Sequence, residues 1–290
     1  MRLVTVPLIA LLVFYSVAAN AKDKGPVQLS RIGKWEVNYD EDSCHLYGKF
    51  GAGDTQVTVN LTRYSPGDAF DLSLYGAMVK SSDLRVNAEI TFEGYNPMKM
   101  VALAGTAGQG LPALLMNGIR LDGTRQFTSP RDHPTISPVQ EAAVQSFELN
   151  LPGGRHYRFA SGSMAAPMTA MRACTDDLIK HWGYNVVEQN SLRSPAIPLI
   201  EPSKWLATKD FPLNAAFAGQ SGIVQVRIDV DESGSVTGCH VLHRTNPDQF
   251  ADLTCKLISQ RARLSPAINA DGKPVRSFYA TRIVWLSSGS

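Results

Sequence analysis

The residues best placed to do chemistry lie in the stretch Ile228-Asp-Val-Asp-Glu-Ser-Gly-Ser-Val236. Asp229, Asp231 and Ser233 fill the first, third and fifth places of a calcium-loop pattern, and Gly234 fills the sixth, where such a loop turns sharply. A calcium loop must also lie between two helices and end in a bidentate acid at its twelfth place. That place holds His240, and Val224, Val226, Ile228 and Val230 alternate before the turn as a strand does. The stretch therefore predicts a hairpin tip, with Asp229 and Asp231 on its solvent face and Glu232, Ser233 and Gly234 in the turn.

The other chemical candidates are weaker. Six histidines occur, His45, His133, His156, His181, His240 and His243, without an HExxH pattern, and all are expected at the surface. His240 and His243 are three apart on an expected strand, so they face opposite ways and make a poor metal pair. Ser161-Gly-Ser163 is not the Gly-x-Ser-x-Gly elbow of a hydrolase. The glycines of 48–53 and 105–110 lack the spacing of a nucleotide loop, and Asp176-Asp177 reads as a solvated helix face. No catalytic, metal or cofactor set follows, and the chain is expected not to be an enzyme. The alternative is an exported hydrolase whose Ser, His and Asp meet in space within the N-terminal region.

The elements that would position these residues fall into two groups. A hydrophobic content of 44% and a charged content of 19% are those of a globular protein, and a net charge of +2 offers nucleic acid no basic surface. Residues 1–21 have Arg2, an apolar run and the Ala19-Asn20-Ala21 cleavage pattern of a signal peptide, which predicts export to the periplasm. The alternative is an uncleaved signal anchor in the inner membrane. Residues 22–189 form a β-rich region of unknown function: Val57, Val59 and Leu61 alternate, as do Val86, Ala88, Ile90 and Phe92, which predicts an antiparallel sandwich or barrel. A helix closes it, with Met171, Cys174, Leu178 and Trp182 on one apolar face and Gly183 as its stop. Four cysteines allow three pairings, and the inward-facing Cys174 is expected to join Cys44. Residues 190–203 carry three prolines and read as an extended linker. Residues 204–290 then run helix, hairpin, helix, strand, a small α+β domain. The fold class expected for the whole chain is α+β.

The last region resembles the C-terminal domain of the TonB energy-transducer family. The resemblance rests on Phe211-Pro-Leu-Asn-Ala-Ala with Gly219 and Gly222, and on the strand-turn-strand from Val224 to Val236 with Gly234. It continues in Arg261-Ala-Arg-Leu-Ser-Pro-Ala267 and Asp271-Gly-Lys-Pro-Val275. Trp205 and the pair Cys239 and Cys255 look like the variant found in exported proteins of sphingomonad-type bacteria, in which those two cysteines would close a short loop. The resemblance implies strand addition: an extended segment of an envelope partner, such as a TonB-dependent outer-membrane receptor, joins the sheet edge. The last strand is the candidate, with Tyr279, Arg282, Ile283 and Trp285 as its partner-binding residues, and self-association through the same edge is a further outcome. With a cleaved signal and a short linker, a periplasmic binding protein is expected; a signal-anchored atypical transducer is the alternative.

Overall fold

The computed structural model describes residues 25–126, 134–245 and 247–287, so the expected signal peptide and His133 lie outside the described residues. β1 (Val27–Tyr39), β2 (Cys44–Phe50), β3 (Val57–Arg63), β4 (Phe70–Tyr75), β5 (Arg85–Phe92), β6 (Met98–Ala107), β7 (Leu111–Ile119), β8 (Phe147–Leu151) and β9 (Arg155–Ala160) form a closed barrel. Their order is β1-β2-β3-β4-β7-β6-β5-β8-β9. Closure comes from a parallel pairing of β1 with β9, Val27 opposite Tyr157 through Ser30 opposite Ala160. That one pairing decides barrel over sandwich, because it leaves the sheet no free edge.

Alternation places Val57, Val59, Leu61, Ala88, Ile90 and Phe92 inside the barrel, where all are buried. Aromatic rings fill the middle: Phe147 stacks on Phe159 at 4.4 Å, and Phe50 meets Phe159 edge-on at 5.4 Å. A remaining cavity beside Trp35, Phe70, Phe92 and Met164 measures about 10 Å³, at the lower limit for a single water. The barrel interior is thus a packed core rather than a ligand chamber.

α1 (Pro138–Ala143) begins with a Ser137 cap and lies against α2 (Ala165–His181), which crosses β1 and β2. Arg172 on α2 bonds both oxygens of buried Glu141 on α1, at 2.6 and 2.9 Å. Met171, Cys174, Leu178 and Trp182 face inward, and the chain leaves the helix through Gly183 at φ 79°. Cys174 is joined to Cys44, 130 residues away, a closure that contributes about 5 kcal/mol on chain-entropy grounds.

α3 (Val186–Asn190) follows α2 and packs Val186 on the barrel core, and the second unit contains β10 (Ile197–Pro198), α4 (Leu213–Phe217), β11 (Gly222–Val230), β12 (Val236–Arg244) and α5 (Gln249–Arg261). β13 (Leu264–Ser265), β14 (Ala267–Ile268), β15 (Pro274–Val275) and β16 (Ser277–Trp285) follow. The main sheet has the order β12-β11-β16. Phe250, Leu257 and Ile258 of α5 share one core with Val224, Val226, Ile228, Tyr279, Ile283 and Trp285 of the sheet. Cys239 and Cys255 are joined across 16 residues and tie β12 to α5. The proline-rich segment does not run free: β10 pairs with β13, and Ser194 bridges Ile268.

Candidate functional site

At the hairpin tip, Asp231 Oδ1 accepts from the Ser233 amide at 2.9 Å, the Ser233 hydroxyl at 2.6 Å and the Ser235 amide at 2.9 Å. These donors, the Ser233 hydroxyl foremost, hold its carboxyl below the ordinary range. Gly234 has φ 85°, and a Cβ there would lie 2.3 Å from the Leu264 carbonyl oxygen, so the turn requires glycine. Asp231 is occupied in shaping the turn.

Asp229 departs from its expected place on the solvent face: it is only 9% exposed. Its carboxylate accepts from the Tyr184 hydroxyl at 2.8 Å and Arg227 Nε at 3.0 Å, and His240 Nε2 lies 2.9 Å away. Burial works to raise its carboxyl, but Tyr184, Arg227 and His240 together outweigh that and leave it below the ordinary value. Among the described residues no group of three or more His, Cys, Asp or Glu is placed to hold a metal.

The cause is the segment after α2, which brings Trp182 and Tyr184 onto the sheet face that α5 leaves bare, together with the barrel wall beside it. His243, Gln225 and Arg282 form one row across β12, β11 and β16. Beneath them His45, Thr62 and Asp71 form a row across β2, β3 and β4. Arg282 is ion-paired with Asp71, and the His243 ring lies 6.1 Å from that of Tyr64. At the other end Phe278 packs edge-on against Trp182 at 5.2 Å, and Arg227 lies over the Trp182 ring at 4.6 Å. The barrel wall thus covers this face of the sheet.

His45 differs from the surface position expected of it. It is half-buried, with the Ser43 hydroxyl 2.9 Å from Nε2 and the Thr62 hydroxyl 3.1 Å from Nδ1. Burial holds its imidazole below the ordinary value, against the opposing charge of Asp40. Asp40 approaches that same Nε2, at 3.9 Å. At 3.9 Å Asp40 is beyond hydrogen-bond reach and shares its ring nitrogen with Ser43, while the hydroxyl on the other nitrogen belongs to buried Thr62, so no triad forms.

On β16, Tyr279, Ile283 and Trp285 face α5 and are buried; Trp285 stacks on Phe250 at 5.3 Å and donates to Thr254 at 2.9 Å. Arg282 faces the barrel. What β16 turns outward is backbone. The Ile223 carbonyl accepts from the Thr245 amide on the β12 side. By alternation Gly222, Val224 and Val226 turn to β16, where they meet Trp285, Ile283 and Thr281. The N–H and C=O groups of Ala280, Arg282 and Val284 therefore point away from β11, and among the described residues no strand pairs there. Gln189 closes the start of this edge by donating to the Arg276 carbonyl at 3.0 Å. β12 is also an edge, but its register shifts twice, and such bulges blunt a template.

The second unit is thus a small α+β arrangement with one regular strand, β16, with whose outer side no described strand pairs. Residues 207–286 match the family model described as Gram-negative bacterial TonB protein C-terminal. That part of the chain is a TonB family C-terminal domain, and it makes up under a third of the 290 residues. Comparison with curated proteins and with solved structures gave no match.

Proposed function

We propose that this is a periplasmic, non-enzymatic TonB-like protein that binds an envelope partner by strand addition along β16. The observation that carries the reading is the open run from Ala280 to Val284 in a TonB-type domain. An incoming strand would satisfy the outward N–H and C=O groups there, and such main-chain pairing supplies affinity while alternate side chains supply specificity. An outer-membrane transporter segment is the partner this family suggests, and a link to TonB-dependent transport follows from it. In this reading Tyr279, Ile283 and Trp285 act from below, anchoring the strand in the α5 core, and Arg282 fixes it to the barrel through Asp71. Among the described residues no helix is long and apolar enough to cross a membrane.

The test is a photoreactive residue at Val284, whose side chain is 44% exposed, in intact cells. Capture of one defined segment of an envelope protein, lost when that segment carries a proline, supports strand addition. Capture of nothing contradicts it.

A further inference from the structure

The barrel wall continues past the edge of β16, and there it changes character. Under the sheet it is polar or aromatic, with Tyr47, Asn60 and Ser73 forming the row after His45, Thr62 and Asp71. Ser73 pairs with Leu115 on β7, and Leu115 pairs with Leu103 on β6. Leu115 is 38% exposed and Val101, two residues before Leu103, is 42% exposed. Val284, on the barrel-facing side of β16, is likewise open.

The alignment of the rows locates this strip. The sheet crosses the barrel wall toward β4 as it passes from β12 to β16, because His243 lies by Tyr64, next after β3, and Arg282 by Asp71 on β4. The wall beyond β16 is the side of β4 on which β7 pairs. Adjacent strands are ~4.8 Å apart, so a fourth strand beside β16 would lie one strand spacing further along the wall, and its longer side chains would span the gap that the curving barrel opens there.

We infer that β7 and β6 form the floor of the β16 site, and that the barrel selects an extended partner segment with apolar side chains at alternate positions. This rests on the strand-addition reading and adds to it the source of specificity. The same alternation that points the backbone of Ala280, Arg282 and Val284 outward applies to the incoming strand, so every second side chain falls toward the barrel. The one beside Val284 meets Leu115 and Leu103. Covering those leucines and Val284 together is what a bare β16 edge on a lone domain would not offer. A grouped apolar sequence would turn half its apolar side chains the other way.

The experiment uses the full chain and two synthetic peptides of one composition, nine residues long like β16. One alternates Leu with Thr, the other groups the Leu residues, and both end in Lys. The alternating peptide is expected to bind about tenfold tighter. Leu115→Asp, an exposed change that should leave the thermal midpoint in place, is expected to remove that preference. Equal binding of the two peptides, or a preference that Leu115→Asp leaves intact, overturns the floor while leaving strand addition standing. If neither peptide binds but Val284 still captures a defined partner segment, the floor is again overturned. Absence of both peptide binding and capture sinks strand addition itself. Self-association of the chain that Leu115→Asp abolishes would make a second copy the occupant and overturn the selected peptide.

Discussion

The two faces of the β12-β11-β16 sheet are both covered, yet by opposite chemistry. On the α5 face Val224, Val226, Ile228, Ile283 and Trp285 pack against Phe250 and Leu257, and burial of apolar area stabilises the contact. On the barrel face Gln225, Arg227, Asp229 and Arg282 are met by Tyr184, Trp182 and Asp71, so that each charge has a named partner. The first face behaves as the core of one domain. The second behaves as an interface, where paired polar groups set position and an orphaned charge is costly. A TonB-type domain here is thus held by its own polar face, leaving an edge as its open surface.

Breaking the apolar face should cost most. Phe250→Ala is expected to lose about 4 kcal/mol in urea unfolding, since it empties the site under Trp285 and Phe211. Asp229→Ala should lose about 3 kcal/mol, because Arg227 stays buried without its carboxylate. A loss near 0.5 kcal/mol, typical of a solvent-exposed position, would erase the contrast between the faces. Tyr184→Phe removes one hydroxyl that donates to both Asp229 and the Ser277 carbonyl, and about 1–2 kcal/mol should follow. The smallest effect is that of pH. His45 has a folded value below the ordinary 6.5, so the unfolded chain takes up a proton that the fold resists. Stability should therefore decline as pH falls through 6.5, and His45→Gln should flatten that decline in thermal melts across the range.

Much of this architecture is legible in the alternation of single strands. Val57 through Leu61, Val224 through Val230 and the Met171–Trp182 helix face all occupy the buried positions their spacing implies, and Cys174 meets Cys44. The barrel face is not legible, for a physical reason. Gln225, Arg227 and Asp229 between valines form the same pattern a solvated strand face would, and only the arrival of Tyr184 and Trp182 from 45 or so residues upstream in the chain turns them inward. Barrel closure is hidden likewise, since the parallel contact of β1 with β9 joins the two ends of the region. The site was half readable: β16 is a regular strand by its own sequence, but which of its faces meets the barrel, through Arg282 and Asp71, depends on packing between distant parts of the chain.

Amide hydrogen exchange in the full chain tests the central claim most directly. On an open β16 edge, Ala280, Arg282 and Val284 should exchange fast, while Tyr279, Thr281 and Ile283, bonded to β11, should be protected. Equal protection of both sets would mean that something already occupies the edge, and the account of β16 as the partner's docking strand would be wrong.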